Sequence, residues 1–375
     1  MKKVPVYAYY FPNWHVDSRN EAWHGKGWTE WNVIKCAHPR FPGHDQPKVP
    51  LWGYLDEADP KVMEKKIDAA LSHGIDGFLW DTYWYADGGF RYRALEEGFF
   101  GARNNEKCKF AIHWCNHAAT LSHPGSFHQP WHAVTNDLLS KEEVLKGFDY
   151  FIENYFTKPN YIRINDRLLF IIYDPAPFIK GVGGIKEARE TLEDVRTRVK
   201  NAGLGDIMFA VDIRCCEAYQ RGDKKALNEF FESVGFEAAT HYTWDPEDHP
   251  DKEVITLSKE KYAENGVKLF AYDSEICDYS VNPVVSSGWD SSPRTVQSDI
   301  YIRKGYPFTR IVDGRDPALF EKTLRCVKEF TESEAFHGDF ITISSWNEWG
   351  EGNYIEPDET HGYAFLEAVK RVFKD

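Results

Sequence analysis

Eight acidic side chains stand at the ends of apolar runs in this chain: Asp81, Asp174, Asp212, Asp245, Asp273, Glu275, Glu348 and Glu351. Any one of them reads equally well as the cap of a following helix or loop. Gathered at one mouth, carboxylates are what cleavage of a glycosidic bond needs: one protonated to feed the leaving oxygen, one ionised as base or nucleophile. Glu348 and Glu351 stand on either side of Gly350, which permits a tight turn between them. Aromatic residues reach 15%, and all 13 tryptophans fall outside the segments with a helical pattern. Trp14, Trp23, Trp28, Trp31 and Trp52 lie in one long connection and Trp289 in another. Exposed indoles there would match the apolar faces of sugars and offer N–H groups to hydroxyls. A flavin or a nucleobase would stack on them by the same chemistry.

The elements that must position these residues alternate. Strands are expected at Val4–Phe11, Ile75–Tyr83, Lys109–Asn116, Leu168–Asp174, Ile207–Ile213, Ala238–Trp244, Lys268–Glu275 and Phe340–Trp346. Between them come helical patterns. Pro60–Ser72 starts after Asp59 and stops at His73-Gly74, and Lys141–Tyr155 follows a Ser140 cap with Glu142 and Glu143 in its first turn. Ile185–Asn201, Pro317–Glu332 and Gly362–Phe373 complete the set. Eight strands alternating with helices imply an α/β fold, a (β/α)8 TIM barrel spanning residues 1–375 as one catalytic domain, with an open doubly wound sheet as the rival. Two long βα connections, after strands 1 and 7, run from Pro12 to about Asp59 and from Ile276 to about Asp316. Both fall on the C-terminal face, where barrel enzymes build their sites.

Composition removes other classes. Lys and Arg total 45 against 59 Asp and Glu, a net charge of −14, which disfavours both nucleic acid and anionic membrane surfaces as partners. No apolar stretch is long enough to span a bilayer, and Met1-Lys2-Lys3-Val4-Pro5 is not followed by the apolar core of a signal peptide. The chain as given therefore reads as cytoplasmic, although a secreted protein trimmed of its leader would look the same. Seven cysteines without a CxxC pair argue against a disulfide framework or a structural zinc site. No His-x-His closes strand one, and no strand end offers a lysine for Schiff-base chemistry. The Gly181-Val182-Gly183-Gly184 run matches no dinucleotide or P-loop pattern, and a plain turn is the simpler reading. His113, His117 and His241 are expected near the mouth as sugar-binding or core histidines. Neither a metal nor a cofactor is expected.

The last strand continues Trp346-Asn347-Glu348-Trp349-Gly350-Glu351-Gly352-Asn353-Tyr354-Ile355-Glu356-Pro357. This segment resembles glycoside hydrolase family 99 and the related WbsX-like group, often labelled as glycosyltransferases of polysaccharide biosynthesis. The likeness takes in Tyr10-Phe11-Pro12, Gly25-Lys26-Gly27-Trp28-Thr29-Glu30-Trp31, Phe41-Pro42-Gly43-His44, Gly74-Ile75-Asp76-Gly77-Phe78 and Tyr161-Ile162-Arg163-Ile164. The resemblance implies a (β/α)8 barrel that cleaves α-mannosidic links internally with retention, through a 1,2-anhydro sugar. It implies that Glu348 takes the 2-hydroxyl proton, while Glu351 protonates the leaving oxygen and later activates water. The departure is at strand three, where the group typically reads Trp-Ala-Asn-Glu-Asn-Trp. This chain has Trp114-Cys115-Asn116-His117-Ala118-Ala119, so a carboxylate is replaced by His117.

The expected site thus has Glu348 and Glu351 as catalytic residues on a carbohydrate substrate. Around them stand Tyr10, Trp14, His15, Trp31, Asp81, Tyr83, Trp84, Trp114, Asn116, His117, Tyr173, Asp212, His241, Trp244, Asp273, Glu275, Trp346 and Asn347 as substrate-binding residues. A retaining glycoside hydrolase acting on an oligo- or polysaccharide comes first. A glycosyltransferase and a non-catalytic carbohydrate-binding barrel are the alternatives. The sugar, its linkage and the oligomeric state stay open at this stage.

Overall fold

The computed structural model describes residues 4–121, 123–129, 131–247 and 254–374; Met1–Lys3, part of the leader reading, lie outside them. Eight strands form the barrel: β1 (Val6–Tyr10), β2 (Gly77–Tyr85), β3 (Lys109–Trp114), β4 (Arg167–Ile172), β5 (Ile207–Asp212), β6 (Ala238–Thr240), β7 (Ser280–Asn282 and Val284–Ser286) and β8 (Ile341–Ser344). Every neighbouring pair is parallel. The first half of β7 pairs with β6 and the second half with β8, which closes the ring. Pro283 separates the halves, and although it has no N–H to give, its carbonyl still accepts from Thr342 N at 2.9 Å.

The helices form the outer layer: α1 (Pro60–Ser72), α2 (Lys141–Asn154), α3 (Pro175–Val182), α4 (Ile185–Asn201), α5 (Lys224–Val234), α6 (Lys259–Ile276), α7 (Pro317–Thr331) and α8 (Ala364–Phe373), with a π-helical turn at Ala94–Phe99 between β2 and β3. Their ends follow local chemistry. Asp59 accepts from Lys61 N ahead of Pro60 at the start of α1, and Ser140 and Glu143 make a reciprocal capping box on α2.

One expected strand is a helix. Lys268–Glu275 is the C-terminal half of α6, in which Tyr262, Ala263, Gly266, Phe270, Asp273 and Ile276 are buried at three- and four-residue spacing. Strand seven lies just beyond it. The long connection on the C-terminal face accordingly begins at Ser287 rather than Ile276, and still runs to Asp316. A third long connection, residues 115–140 after β3, reaches over the same face.

The loop indoles are mostly not exposed. Trp14 and Trp31 are buried 4.0 Å apart, with Phe11, Trp349 and Tyr354, in a second apolar cluster that roofs part of the barrel. Trp23 and Trp31 sit in two short helices of the first connection, Ser18–His24 and Trp31–Cys36. Beneath that roof lies a buried ion cluster. Lys66 of α1 binds Glu57, and Glu356 at 2.6 Å. Glu356 also accepts the indole N–H groups of Trp346 at 3.0 Å and Trp349 at 2.8 Å. Asn347 splices the end of β8 to the end of β1: it accepts from Phe11 N at 2.8 Å and donates to Phe11 O and to Glu57, each at 2.9 Å. No helix among the described residues is long and apolar enough to cross a membrane.

Removing Lys66 leaves two buried carboxylates without their cation. Lys66→Met is expected to destabilise the fold by about 3–5 kcal/mol, read as a lower denaturant midpoint at unchanged slope. A midpoint within error of wild type would show that this cluster does not hold β8 to β1.

Candidate active site

A cavity of about 590 Å³ opens at the C-terminal ends of the strands. Near its floor is Arg294, in a 3-10 turn (Ser292–Arg294) of the connection after β7. Its guanidinium is fully buried among three carboxylates. Nε donates to Glu30 at 2.7 Å, Nη1 to Glu351 at 2.6 Å, and Nη2 to Glu348 at 2.8 Å. Nη1 also reaches the Tyr306 hydroxyl at 2.7 Å. Both motif glutamates are therefore held by one planar fork.

The glycines of the motif make this possible. A Cβ on Gly350 would sit 2.5 Å from Glu30 Oε1 and 2.6 Å from Arg294 Nε, so the ion pair passes over bare backbone. Gly352, at φ +60°, lies against Asp290. Asp290 in turn accepts from His44 at 2.9 Å and Gln46 at 2.6 Å, and its N–H donates to Glu351 O. These bonds tie the first long connection, the last one and the motif turn together, and so place Arg294. Glu30 is oriented by Asn13 Nδ2 at 2.7 Å, which is itself held by Asn20.

The two catalytic candidates differ in what they accept. Glu348 has both oxygens engaged, Oε2 by Arg294 and Oε1 by the Tyr242 hydroxyl at 3.1 Å. Glu351 Oε2 is buried and takes no hydrogen bond of ordinary geometry. Burial pushes both carboxyls up, Glu348 well above its ordinary value; Arg294 pulls both down, as the Tyr306 hydroxyl does Glu351, but the charge of Glu30 offsets part of that pull. Glu30 goes the other way. Burial opposes its charge, but Arg294, His123, Arg91 and Asn13 outweigh it and hold the carboxyl at about 2.

Around this floor Asp81, Tyr83, His117, Tyr173 and Asp212 line the cavity, as do Glu348 and Glu351. Asp81 accepts from His113 Nδ1 at 2.7 Å, and Tyr242 stacks on His113 with ring centres 5.8 Å apart. Asp212 holds Tyr242 in place by accepting from its backbone N–H at 2.9 Å. His117 faces Tyr83 and Tyr173 with its edge, and burial pushes its imidazole down, toward the neutral form.

The remaining expected residues lie elsewhere. Tyr10 stacks on Trp80 in the core, 4.1 Å away. Trp14, Trp31, Trp346 and Asn347 belong to the roof and ion cluster described above. His15 is buried off the cavity, and burial holds its imidazole down at about 4. Trp84 packs on α2, where Gly147 leaves room for its indole, and Trp114 packs on Phe178 of α3. Asn116 braces the end of β4, accepting from Asp174 N at 2.9 Å and donating to its carbonyl at 2.6 Å. Trp244 donates to Val284 O and packs on Gly266. Because residues 268–275 are helical, Asp273 and Glu275 do not reach the mouth. Asp273 pairs with His241 at 2.7 Å and accepts from Tyr219, while Glu275 is exposed on α6. The structure places His113 and His117 at the cavity and His241 outside it.

Sequence reasoning passed over Arg294, Tyr242, Tyr306, Arg91 and His123, all of which line the cavity. Only Glu30 stood inside a quoted motif, without a role. Asp81, His113 and Cys115 form a group that could face a cation. The 2.7 Å between Asp81 and His113 is hydrogen-bond spacing, whereas tetrahedral zinc ligands at about 2.0–2.1 Å stand about 3.3 Å apart. The Gly181–Gly184 run is the last turn of α3 and its junction with α4: a Cβ on Gly181 would meet Leu139 O at 2.4 Å, Gly183 ends α3 at φ +113°, and Gly184 precedes α4.

Residues 6–369 match the family described as Glycosyltransferase WbsX. The chain belongs to this family. Two curated relatives, the uncharacterized protein WxcX of Xanthomonas campestris pv. campestris strains B100 and ATCC 33913, are each 27% identical over 97% of the chain. The chain spans about half the length of these relatives, 49% in each case. Among solved structures, the GH99 endo-alpha-mannosidase from Bacteroides thetaiotaomicron superposes with a TM-score of 0.58 at 16% identity, covering 98% of this chain and 95% of that one. A glycoside hydrolase-like protein gives 0.61 at 14% identity, covering 100% and 95%. This WbsX-family chain thus has the barrel of family 99.

Glu30 carries a sign-definite pH signature. Its folded pKa is depressed, so the stability it contributes is present above its unfolded value and is lost as pH falls toward about 2. Glu30→Gln is expected to flatten the stability curve between about pH 4.5 and 2, measured by urea unfolding at each pH. An unchanged acid limb would mean that Glu30 is not the anion balancing Arg294.

Proposed function

We propose that this chain is a retaining glycoside hydrolase acting on an oligo- or polysaccharide, with Glu348 as base and Glu351 as acid. The observation that carries the reading is the asymmetry of the two carboxyls on one Arg294 fork. Donors onto both oxygens suit Glu348 to the ionised, acceptor-only state. The buried Oε2, which takes no donor of ordinary geometry, suits Glu351 to carry the proton. WbsX membership and the family 99 barrel support carbohydrate chemistry. The Bacteroides neighbour is an endo-alpha-mannosidase, which makes an α-mannoside-like or related bacterial glycan the first substrate class.

In the forward step Glu348 removes the proton of the sugar's 2-hydroxyl, and that oxygen attacks C1. The bond from C1 to the leaving oxygen breaks as Glu351 donates its proton to that oxygen. The 1,2-anhydro sugar is then opened by water. Glu351, now ionised, takes the water's proton, the water oxygen bonds to C1, and Glu348 returns its proton to O2. Retention follows from two inversions at C1. The family's description favours a second reading, glycosyl transfer, in which a sugar hydroxyl takes the place of water in the second step.

The test is reducing-end release from α-mannans, rhamnose-containing polysaccharides and bacterial surface glycans by wild type and Glu351→Gln. Release is expected from wild type and should fall by about 10²–10⁴-fold in the variant. An activated aryl glycoside, whose leaving group needs little protonation, should recover much of the loss. The pH–rate bell should lie to the alkaline side of an ordinary carboxylate pair, because burial raises both groups. Equal release by both proteins would remove Glu351 as the acid. Transfer to an added saccharide without release would favour the transferase.

A further inference from the structure

A second arginine lines the cavity and is used by nothing in the reaction above. Arg91 follows Gly88–Phe90, a short strand that pairs antiparallel with the end of β2 in a hairpin; it stands at φ 63° and is only 7% exposed. Its guanidinium lies among three aromatic rings, 4.5 Å from the centre of Phe90, 4.6 Å from Tyr83 and 5.2 Å from Phe11. Its backbone N–H is held by Asp17 at 3.3 Å. Among the described residues, however, no hydrogen bond or ion pair reaches the guanidinium itself, and Nε is buried without a partner. The carboxylate whose charge it feels, Glu30, is spent on Arg294 and Asn13. The aromatic faces stabilise the cation but give it no acceptor.

A buried guanidinium with unmet donors is costly to keep in an otherwise paired protein, since nearly every buried arginine finds a carboxylate. The position of Arg91 gives the reason a chemical form. Arg294 also stands over Phe11, with 5.0 Å from its Cζ to the ring centre, so the two guanidiniums are neighbours across one phenyl ring. One of them holds Glu348 and Glu351, and the other has a planar fork unfilled. His117 and His123, near it on the cavity wall, are both pushed toward the neutral form by burial, His123 down to about 3. Of the three arginines that line the cavity, Arg294 is paired with carboxylates and Arg214 donates to Thr243 O, whereas among the described residues nothing accepts from the Arg91 guanidinium.

We infer that Arg91 binds a negatively charged sugar substituent, the carboxylate of a hexuronate residue, one ring removed from the bond that Glu348 and Glu351 act on. The inference rests on the glycan reading above and narrows its substrate class from neutral to acidic saccharides. Carboxylate matches the fork in plane and makes two parallel hydrogen bonds. A sulfate ester would offer the same acceptors without the planarity, and the two are separable by experiment.

The experiment uses uronate-bearing oligosaccharides, the same molecules after carboxyl reduction, and sulfated counterparts, each titrated calorimetrically into the full-length Glu351→Gln protein with and without Arg91→Gln. Native acidic oligosaccharides should bind at least ten-fold more tightly than the reduced ones, with a preference that weakens as salt rises and disappears in Arg91→Gln. Arg91→Lys keeps the charge but not the fork, and should retain only part of the preference. Should Arg91→Gln fail to fold, the comparison of acid and reduced forms on the Arg91-containing protein still decides. Equal binding of acid and reduced forms, or an acid preference that survives Arg91→Gln, overturns the inference. A sulfate preference over carboxylate overturns the hexuronate assignment and leaves an anion site. Arg91-dependent binding with no cleavage of any acidic glycan by wild type would instead sink the hydrolase reading alone. Cleavage of neutral glycans with no gain from a carboxylate would sink the acidic substrate alone.

Discussion

The site depends on a single cation placed where three carboxylates converge. A buried arginine is tolerable only if its charge is met and its donors are satisfied, and Arg294 achieves both with Glu30, Glu348, Glu351 and Tyr306. The converse holds as well. Two glutamates this close in a desolvated pocket would not both ionise without it. Because Glu30 is held ionised and takes up part of the arginine's charge, burial still leaves both motif carboxyls raised.

Much of the remaining structure can be understood as what holds that arginine still. Arg294 has no regular element of its own, only a 3-10 turn in a long connection. Asp290 ties that connection to His44, Gln46 and the Glu351 carbonyl, and Gly350 and Gly352 let the chains approach without side chains between them. The same logic operates one layer down. Lys66 sits between Glu57 and Glu356, and Glu356 gathers the indoles of Trp346 and Trp349 on either side of Glu348. Within one short motif, neighbouring residues face opposite ways. Glu348 and Glu351 face the cavity, while Trp346, Asn347, Trp349 and Glu356 face the scaffold.

That division explains what could be read from the sequence. The barrel was legible because seven of its strands are continuous apolar runs and because the caps at Asp59 and Ser140 are local signals. Strand seven was not. Pro283 interrupts it, whereas Lys268–Glu275 has an apolar stretch that is in truth one face of a helix continuing from Ser258. A proline in a closed barrel is tolerated here because each half of the strand pairs with a different neighbour. The loop tryptophans misled for a related reason. An indole in a connection looks exposed until the connection is seen to fold over itself, and Trp14 and Trp31 pack on each other and on Trp349. Arg294 left no local trace, since its carboxylate partners stand 264, 54 and 57 residues away in the chain.

Arg91 and Arg294 show why a fold likeness stops short of a substrate. A barrel shared at 16% identity transmits the position of the mouth and not the charge of its wall. The wall of this cavity comes mostly from connections, where His117 follows β3, Arg91 the β2 hairpin and Arg294 the strand interrupted by Pro283. Each can change without disturbing the ring of parallel strands beneath. The charge on the cavity wall is therefore set apart from the scaffold beneath it. Two arginines at one phenyl ring can then differ in environment, one closed on its own glutamates and one facing the cavity.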